Sequence, residues 1–360
     1  MRNVAETRRS GSRRSGLTGR RAGAGVVALG LLILGASACS SSGSDSAASN
    51  TPAASGTKSA TTTDVSRVTL NLGDQAGSGA QSLLTAAGLI GKLPFKPHWS
   101  DFTSGPPMLL AMGSGSVDVG SVGDAPPVFA AAGGSQIAVV SALQANPDGS
   151  AILVPKSSPI HSVAQLKGKS IAVAQGSSAD YHLLATVTQA GLTVKDVTPD
   201  YLQPAEGQAA FASGHVAAWD VWSPFIEQAE SQDHARVLVN GSGIGQTYSF
   251  VVASKAALGD PAKAAAINDY LQLLDQAYAW AHSHQSAWAS TWAKATGLPL
   301  SVMSQAVQDS LATPRPITPT VITSEQSVAN AFTAAGLIPS HVNFSNFAVT
   351  SFNSILGASS

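Results

Sequence analysis

Residues 170–190, SIAVAQGSSADYHLLATVTQA, hold the pattern that decides the fold. The first five are a short apolar run of strand length, Gln175-Gly176-Ser177-Ser178 breaks it, and 179–190 reads as a helix. The unit recurs. Residues 65–72 (VSRVTLNL) alternate with β-branched side chains, Gly77-Ser78-Gly79 follows, and Leu83, Leu84, Ala87 and Leu89 then fall at helical spacing. Residues 117–121 lead likewise into Gly123-Asp124-Ala125-Pro126-Pro127 and a helix through Ala132. Repeated strand–loop–helix units predict an α/β protein whose mainly parallel sheets are covered by helices, with ligand loops gathered at the carboxyl ends of the strands. Residues 152–154 and 249–253 bracket about 95 residues that carry strand–helix units of their own, and they read as two strands crossing between lobes.

The chain of 360 residues is 44% hydrophobic and only 11% charged, which is ample for a packed core and too long for a single small module. Seven of its 20 basic residues lie before residue 22, against one of its 21 acids; the rest carries 13 basic and 20 acidic residues. A mildly acidic body offers no footprint for nucleic acid, and no basic patch for a membrane surface. Residues 1–38 have the order of an export signal: an Arg-rich start, the apolar run 25–35 (GVVALGLLILG), then Ala36-Ser37-Ala38. That run is too short for a comfortable helical span. Cys39 is the only cysteine, so an internal disulfide and a thiolate metal site are excluded. Residues 39–64 are small and polar, as expected of a flexible tether, and the folded body is expected from residue 65.

No G-x-S-x-G elbow, phosphate loop, dinucleotide fingerprint or H-E-x-x-H occurs beyond the leader, so no enzyme, cofactor or metal is expected. His282 and His284 are two apart on a predicted helix and face away from each other, and Glu227 and Glu230 read as an exposed helical face. Tyr278, Trp288 and Trp292 fall on a late apolar stripe that reads as core packing. The loops at Ser78-Gly79, Asp124-Ala125 and Ser177-Ser178 stand at helix starts, where N–H groups and the helix dipole would hold a small anion without arginine. Trp219 and Trp222, beside Ser223 and Pro224, are costly to expose, so at least one belongs in the core or a cleft.

Several segments in one order, FTSGPPML (102–109), GSVDVG (115–120), VGDAPP (122–127), AILVP (151–155), VAQLKGK (163–169), GSSADY (176–181) and AWDVWSPF (218–225), resemble the aliphatic sulfonate-binding proteins of ABC importers, relatives of taurine and nitrate binders. The resemblance runs from about residue 65 to 349. It implies a two-lobed periplasmic-binding-protein fold of type II, with lobe 1 from 65–150 and 254–360 and lobe 2 from 151–253, the ligand held in the cleft between them. Carried over by motif, the ligand loops are Ser78, Gly79 and Gln81; Asp124 and Ala125; Ser177, Ser178 and Tyr181; and Trp222 and Ser223. It implies a small organic anion, most simply an aliphatic or aryl sulfonate, and as partners a permease with its ATPase subunits; a monomer is expected. Cys39 resembles a lipobox cysteine, which implies lipid anchoring outside the cytoplasmic membrane or a periplasmic location. Three positions depart from the family pattern: Ala125 stands for Thr, Ser223 for Asp, and Asn330 for Asp. Ala125 would leave room beside the second loop for a fuller tail. Taurine, nitrate or a nitrogen heterocycle are the alternatives, and a biosynthetic enzyme on the same fold is a further one.

Overall fold

The computed structural model describes residues 63–75, 79–144, 146–245 and 248–357. The export signal, Cys39, almost all of the tether, and Ser78 lie outside the described residues. The body begins with β1 (Thr69–Gln75), α1 (Ala80–Ala86), β2 (Lys96–Phe102), α2 (Gly105–Gly113), β3 (Val119–Val122), α3 (Ala125–Ala132) and β4 (Ile137–Gln144). The chain then passes to a second sheet through β5 (Ser150–Pro155), β6 (Ser170–Val173), α4 (Ser178–Gln189), β7 (Thr198–Tyr201), α5 (Pro204–Ala212), β8 (Ala218–Trp222), α6 (Phe225–Gln232) and β9 (Ala235–Asn240). It returns through β10 (Tyr248–Ser254) and closes with α7 (Lys255–Gly259), α8 (Pro261–Ser283), α9 (Gln285–Thr296), α10 (Leu300–Ser310), β11 (Thr313–Arg315) and α11 (Pro319–Ala334).

The two sheets repeat one arrangement. The first runs β11-β4-β10-β3-β1-β2 and the second β7-β6-β8-β5-β9, so in each the strand made on changing lobes, β10 or β5, slots between the third and fourth strands of a βαβαβαβ unit. That inserted strand arrives without a crossover helix and runs antiparallel to both neighbours. Most strands of each sheet still share one direction, with β1–β2, β1–β3, β6–β7 and β6–β8 pairing in parallel, and the inserted strands, with β11 at the edge of the first sheet, run against them. Residues 152–154 and 249–253 each lie within a single sheet, and the chain changes lobes between β4 and β5 and again between β9 and β10.

Sequence explains the first sheet's tight layer. Gly73 and Gly120 pair across β1 and β3, and together they make room for fully buried Met108 of α2. A Cβ on Gly120 would stand 2.5 Å from the Met108 sulfur and 2.9 Å from the Gly73 carbonyl oxygen. The thioether can bend away but the backbone cannot. Gly120→Ala is expected to destabilise the protein by about 1–3 kcal/mol, the usual cost of overpacking; urea unfolding that matches wild type would refute this packing.

Behind the sheets' facing ends, α3, α4 and α11 share one apolar cluster, in which Phe332 meets Phe129 edge-on at 4.8 Å and Tyr181 at 6.0 Å. The lobes are also bonded directly: Thr103 and Ser104, ahead of α2, both donate their hydroxyls to the Gln203 side-chain oxygen at the start of α5, at 2.9 and 2.8 Å. Among the described residues no helix is long and apolar enough to cross a membrane.

Candidate functional site

The carboxyl ends of β1 and β3 face those of β6 and β8 across a cleft of about 180 Å³. Gln75, Ser121 and Gly123 line it from the first sheet, Ser177, Ser178, Trp222 and Ser223 from the second. Tyr278 of α8 and Trp288 and Trp292 of α9 form an aromatic wall, the two indoles stacked at 4.9 Å and 7°. No charged side chain lines this cleft among the described residues. Its polar groups are hydroxyls and amides. Gln75 is oriented by its own amide, which donates to the Ser121 carbonyl at 2.7 Å. The Ser121 hydroxyl, by contrast, is buried with no hydrogen-bond partner, an uncommon and costly condition that a ligand atom would relieve.

The helix starts differ from the expected cradle of bare N–H groups. At α1, Asp74 accepts from Ala80 and Gln81 N–H at 3.1 and 3.0 Å. At α3, Asp124 accepts from Ala125 N–H at 2.7 Å, and Pro126 and Pro127 have no N–H to offer. At α4, Asp180 accepts from Gly176 N–H at 2.8 Å, and the Ser177 hydroxyl donates to the Ala174 carbonyl at 2.6 Å. Acids of the chain itself thus occupy positions an anion would need. Ser177 lines the cleft with its donor committed, whereas the Ser121 hydroxyl on the facing lobe is uncommitted.

The cleft brings together Ser177, Ser178, Trp222 and Ser223 from the residues singled out by sequence. Gly79 does not line it but packs behind its aromatic wall, capping α1 at φ 60°, where an added Cβ would meet Trp288 and Trp292 at 3.0 Å. Gln81 is exposed, while Asp124 and Ala125 are buried without lining the cleft. Ala125 packs into the cluster of α3, α4 and α11, so the room expected beside it is filled. Tyr181 lines a separate cavity between α4 and α11, and burial, with help from Asp124 and Glu325, pushes its phenol up to about 12. Of the tryptophan pair, Trp219 is core and Trp222 lines the cleft. Asn330 is exposed and accepts from Gln326. His282 bonds Thr313, and His284 stacks on Trp280.

One reading is extended here and another corrected. The stripe at Tyr278, Trp288 and Trp292 is core on one side and cleft wall on the other; periodicity reports burial and is silent on what does the burying. Glu227 is not on an exposed face: it is 5% exposed, and its Oε1 accepts from the Ser223 hydroxyl at 2.6 Å. Burial pushes Glu227 up to about 7 against the pull of that hydroxyl, and Asp309 and Glu230 add to the rise. Deeper in the second lobe His182 of α4 contacts both oxygens of Asp220 of β8, at 2.9 and 3.0 Å, with neither side chain exposed.

The NMT1/THI5-like family matches this chain over residues 106–287. An Escherichia coli K12 protein named as an aliphatic sulfonates-binding protein is 36% identical over 277 residues, covering 76% of this chain and 86% of the relative. The chain belongs to the family of aliphatic sulfonate-binding proteins. Among solved members, the alkanesulfonate-binding protein SsuA of Xanthomonas axonopodis pv. citri, bound to MOPS, superposes with a TM-score of 0.74 at 33% identity, over 78% of this chain and 98% of that one. The periplasmic aliphatic sulphonate-binding protein SsuA of Escherichia coli superposes at 0.70 with 35% identity, over 78% and 91%. The sulfonate-binding family thereby supplies the two-lobed periplasmic-binding-protein fold, and its members are binding proteins rather than enzymes.

Proposed function

We propose that the protein captures a small organic sulfonate by closure of its two lobes and hands it to the permease of an ABC importer. The observation that carries this reading is the make-up of the cleft: neutral hydroxyl and amide groups beside a stacked aromatic wall, with a buried Ser121 hydroxyl lacking a partner. A strong-acid anion stays charged at every working pH and needs donors rather than a countercharge, while its organic tail needs apolar surface. Kinship with the sulfonate-binding proteins supports the same ligand class. The export signal and Cys39 belong to the reading as means of holding the protein outside the cytoplasmic membrane, with Cys39 as the lipid-bearing residue.

Thermal shift with alkane- and arenesulfonates, taurine, nitrate and sulfate tests the proposal, since a ligand bound only to the folded state raises Tm. Sulfonates with an apolar tail should stabilise most. Ser121→Ala should weaken their binding by about 0.5–1.5 kcal/mol, rising to about 3 if the hydrogen bond is to a full charge, with no loss of stability in the free protein. Stabilisation by nitrate or taurine alone, or unchanged affinity in Ser121→Ala, would reject this ligand or this geometry.

A further inference from the structure

Ser223 lines the cleft, and its hydroxyl is 2.6 Å from a carboxylate that the cleft cannot see. Glu227 is buried beneath it in the first turn of α6, and its second oxygen, Oε2, is buried without any hydrogen-bond partner. A hydroxyl has one hydrogen to give. While Glu227 is ionised, Ser223 donates that hydrogen inward and turns only lone pairs toward the cleft, and a buried negative charge stands behind them. Once Glu227 is protonated, the carboxylic acid donates to Ser223 Oγ, and the hydroxyl hydrogen is released to point at a ligand. Resting on the sulfonate-binding reading above, we infer that Glu227 takes up one proton from solvent as an anion binds, and that Ser223 serves as an anion donor only in that state.

The surroundings of Glu227 favour such a cycle at physiological pH. Burial raises its carboxyl to about 7, so both states are accessible. The charges that reach it are acidic: Asp309 from α10 and Glu230 one turn further along α6. The other ionisable groups on the elements packed around it are engaged elsewhere. Asp220 of β8 is paired with His182, and Arg236 of β9 donates to the carbonyls of Ser158 and Ile160. Glu206 of α5 accepts from Gln203 N–H, Asp233 at the end of α6 accepts from Gln208, and Asp148 accepts from Asn240. The inserted strand β5 has no ionisable side chain. An approaching anion therefore meets nothing that offsets its repulsion of an ionised Glu227, and it raises that group's proton affinity further. Reciprocity makes the proton raise the anion's affinity by the same factor.

Calorimetric titration with hexanesulfonate and benzenesulfonate, in buffers of differing ionisation heat, reads the proton directly. Uptake should approach one proton per ligand above pH 7.5 and vanish below pH 6. Affinity should fall by up to about tenfold per pH unit on the alkaline side. Glu227→Gln, whose amide can donate to Ser223 Oγ at any pH, should abolish both the uptake and the slope. Sulfonate binding without proton uptake, or a slope that persists in Glu227→Gln, overturns the inference and leaves sulfonate binding intact. Absence of binding to either sulfonate from pH 5.5 to 9 overturns both.

Discussion

Asp220→Ala should lower stability by about 3–5 kcal/mol, the cost of leaving one member of a buried ion pair without its partner. The pair joins α4 to β8 inside the second lobe, and neither side chain has exposed surface. Burial alone would lower the His182 pKa, but the Asp220 carboxylate at 2.9 Å outweighs it, and the imidazole is held above its ordinary value of 6.5. The sign of the pH dependence follows. A base whose folded pKa is raised contributes stability in full below 6.5 and loses it as pH rises through the folded value. Urea unfolding at pH 6 and pH 9 should show a wide gap between wild type and Asp220→Ala that narrows at the higher pH. Replacing both residues with leucine should recover part of the loss, because two apolar side chains leave no charge to desolvate. A deficit under about 1 kcal/mol at pH 6 would mean that the pair is not charged.

Gly123→Ala is expected to weaken sulfonate binding by about 1–3 kcal/mol, or roughly 5- to 150-fold. Gly123 follows β3 in one lobe and Ser178 opens α4 in the other, and a Cβ on the glycine would lie 1.6 Å from Ser178 Oγ and 3.0 Å from its Cβ. Rotation of the hydroxyl removes the first clash but not the second, so the lobes must part to accommodate a methyl group. The free protein can open and should keep its melting temperature. Small-angle scattering should show ligand-induced compaction in wild type and less in the variant. Wild-type affinity in Gly123→Ala would show that the lobes do not approach each other here when ligand is bound.

The strand–loop–helix unit at 170–190 was legible almost to the residue, because SIAVA is bounded by Gly176 and two serines; the structure has β6 at Ser170–Val173 and α4 at Ser178–Gln189. β1 begins four residues later than its apolar alternation suggested, since Val65 is buried by a turn that precedes the strand rather than by the sheet itself. Antiparallel insertion of β5 and β10 was not legible: an apolar run of six or seven residues states that a strand is buried on both faces and not which way its neighbours run. The lining of the cleft was legible where a motif closes a strand or follows it, as at Trp222, Ser223 and Ser178. It was illegible where function depends on what a helix start already holds. Asp74 is six residues from Ala80 and Asp180 lies inside its own helix, so neither has the spacing of an ordinary N-cap. Glu227 was misread for a related reason, since three-residue spacing from Glu230 fits a solvated face equally well and only the depth of the Ser223 turn puts it inside.

Gln203 joins the two lobes through one atom. Its one side-chain oxygen receives both hydroxyls that reach from the other lobe, those of Thr103 and Ser104. Each such bond, exchanged for water when the lobes part, is worth only about 1 kcal/mol net. Two such bonds alone make a weak fastening. Ligand admission would run at the frequency of that opening multiplied by the chance of an encounter while it lasts, and residence time would lengthen once the ligand's own contacts are added to the same fastening. A single carboxamide would then act on arrival and departure alike, and the groups to be parted at this contact are serine and threonine hydroxyls and not charges.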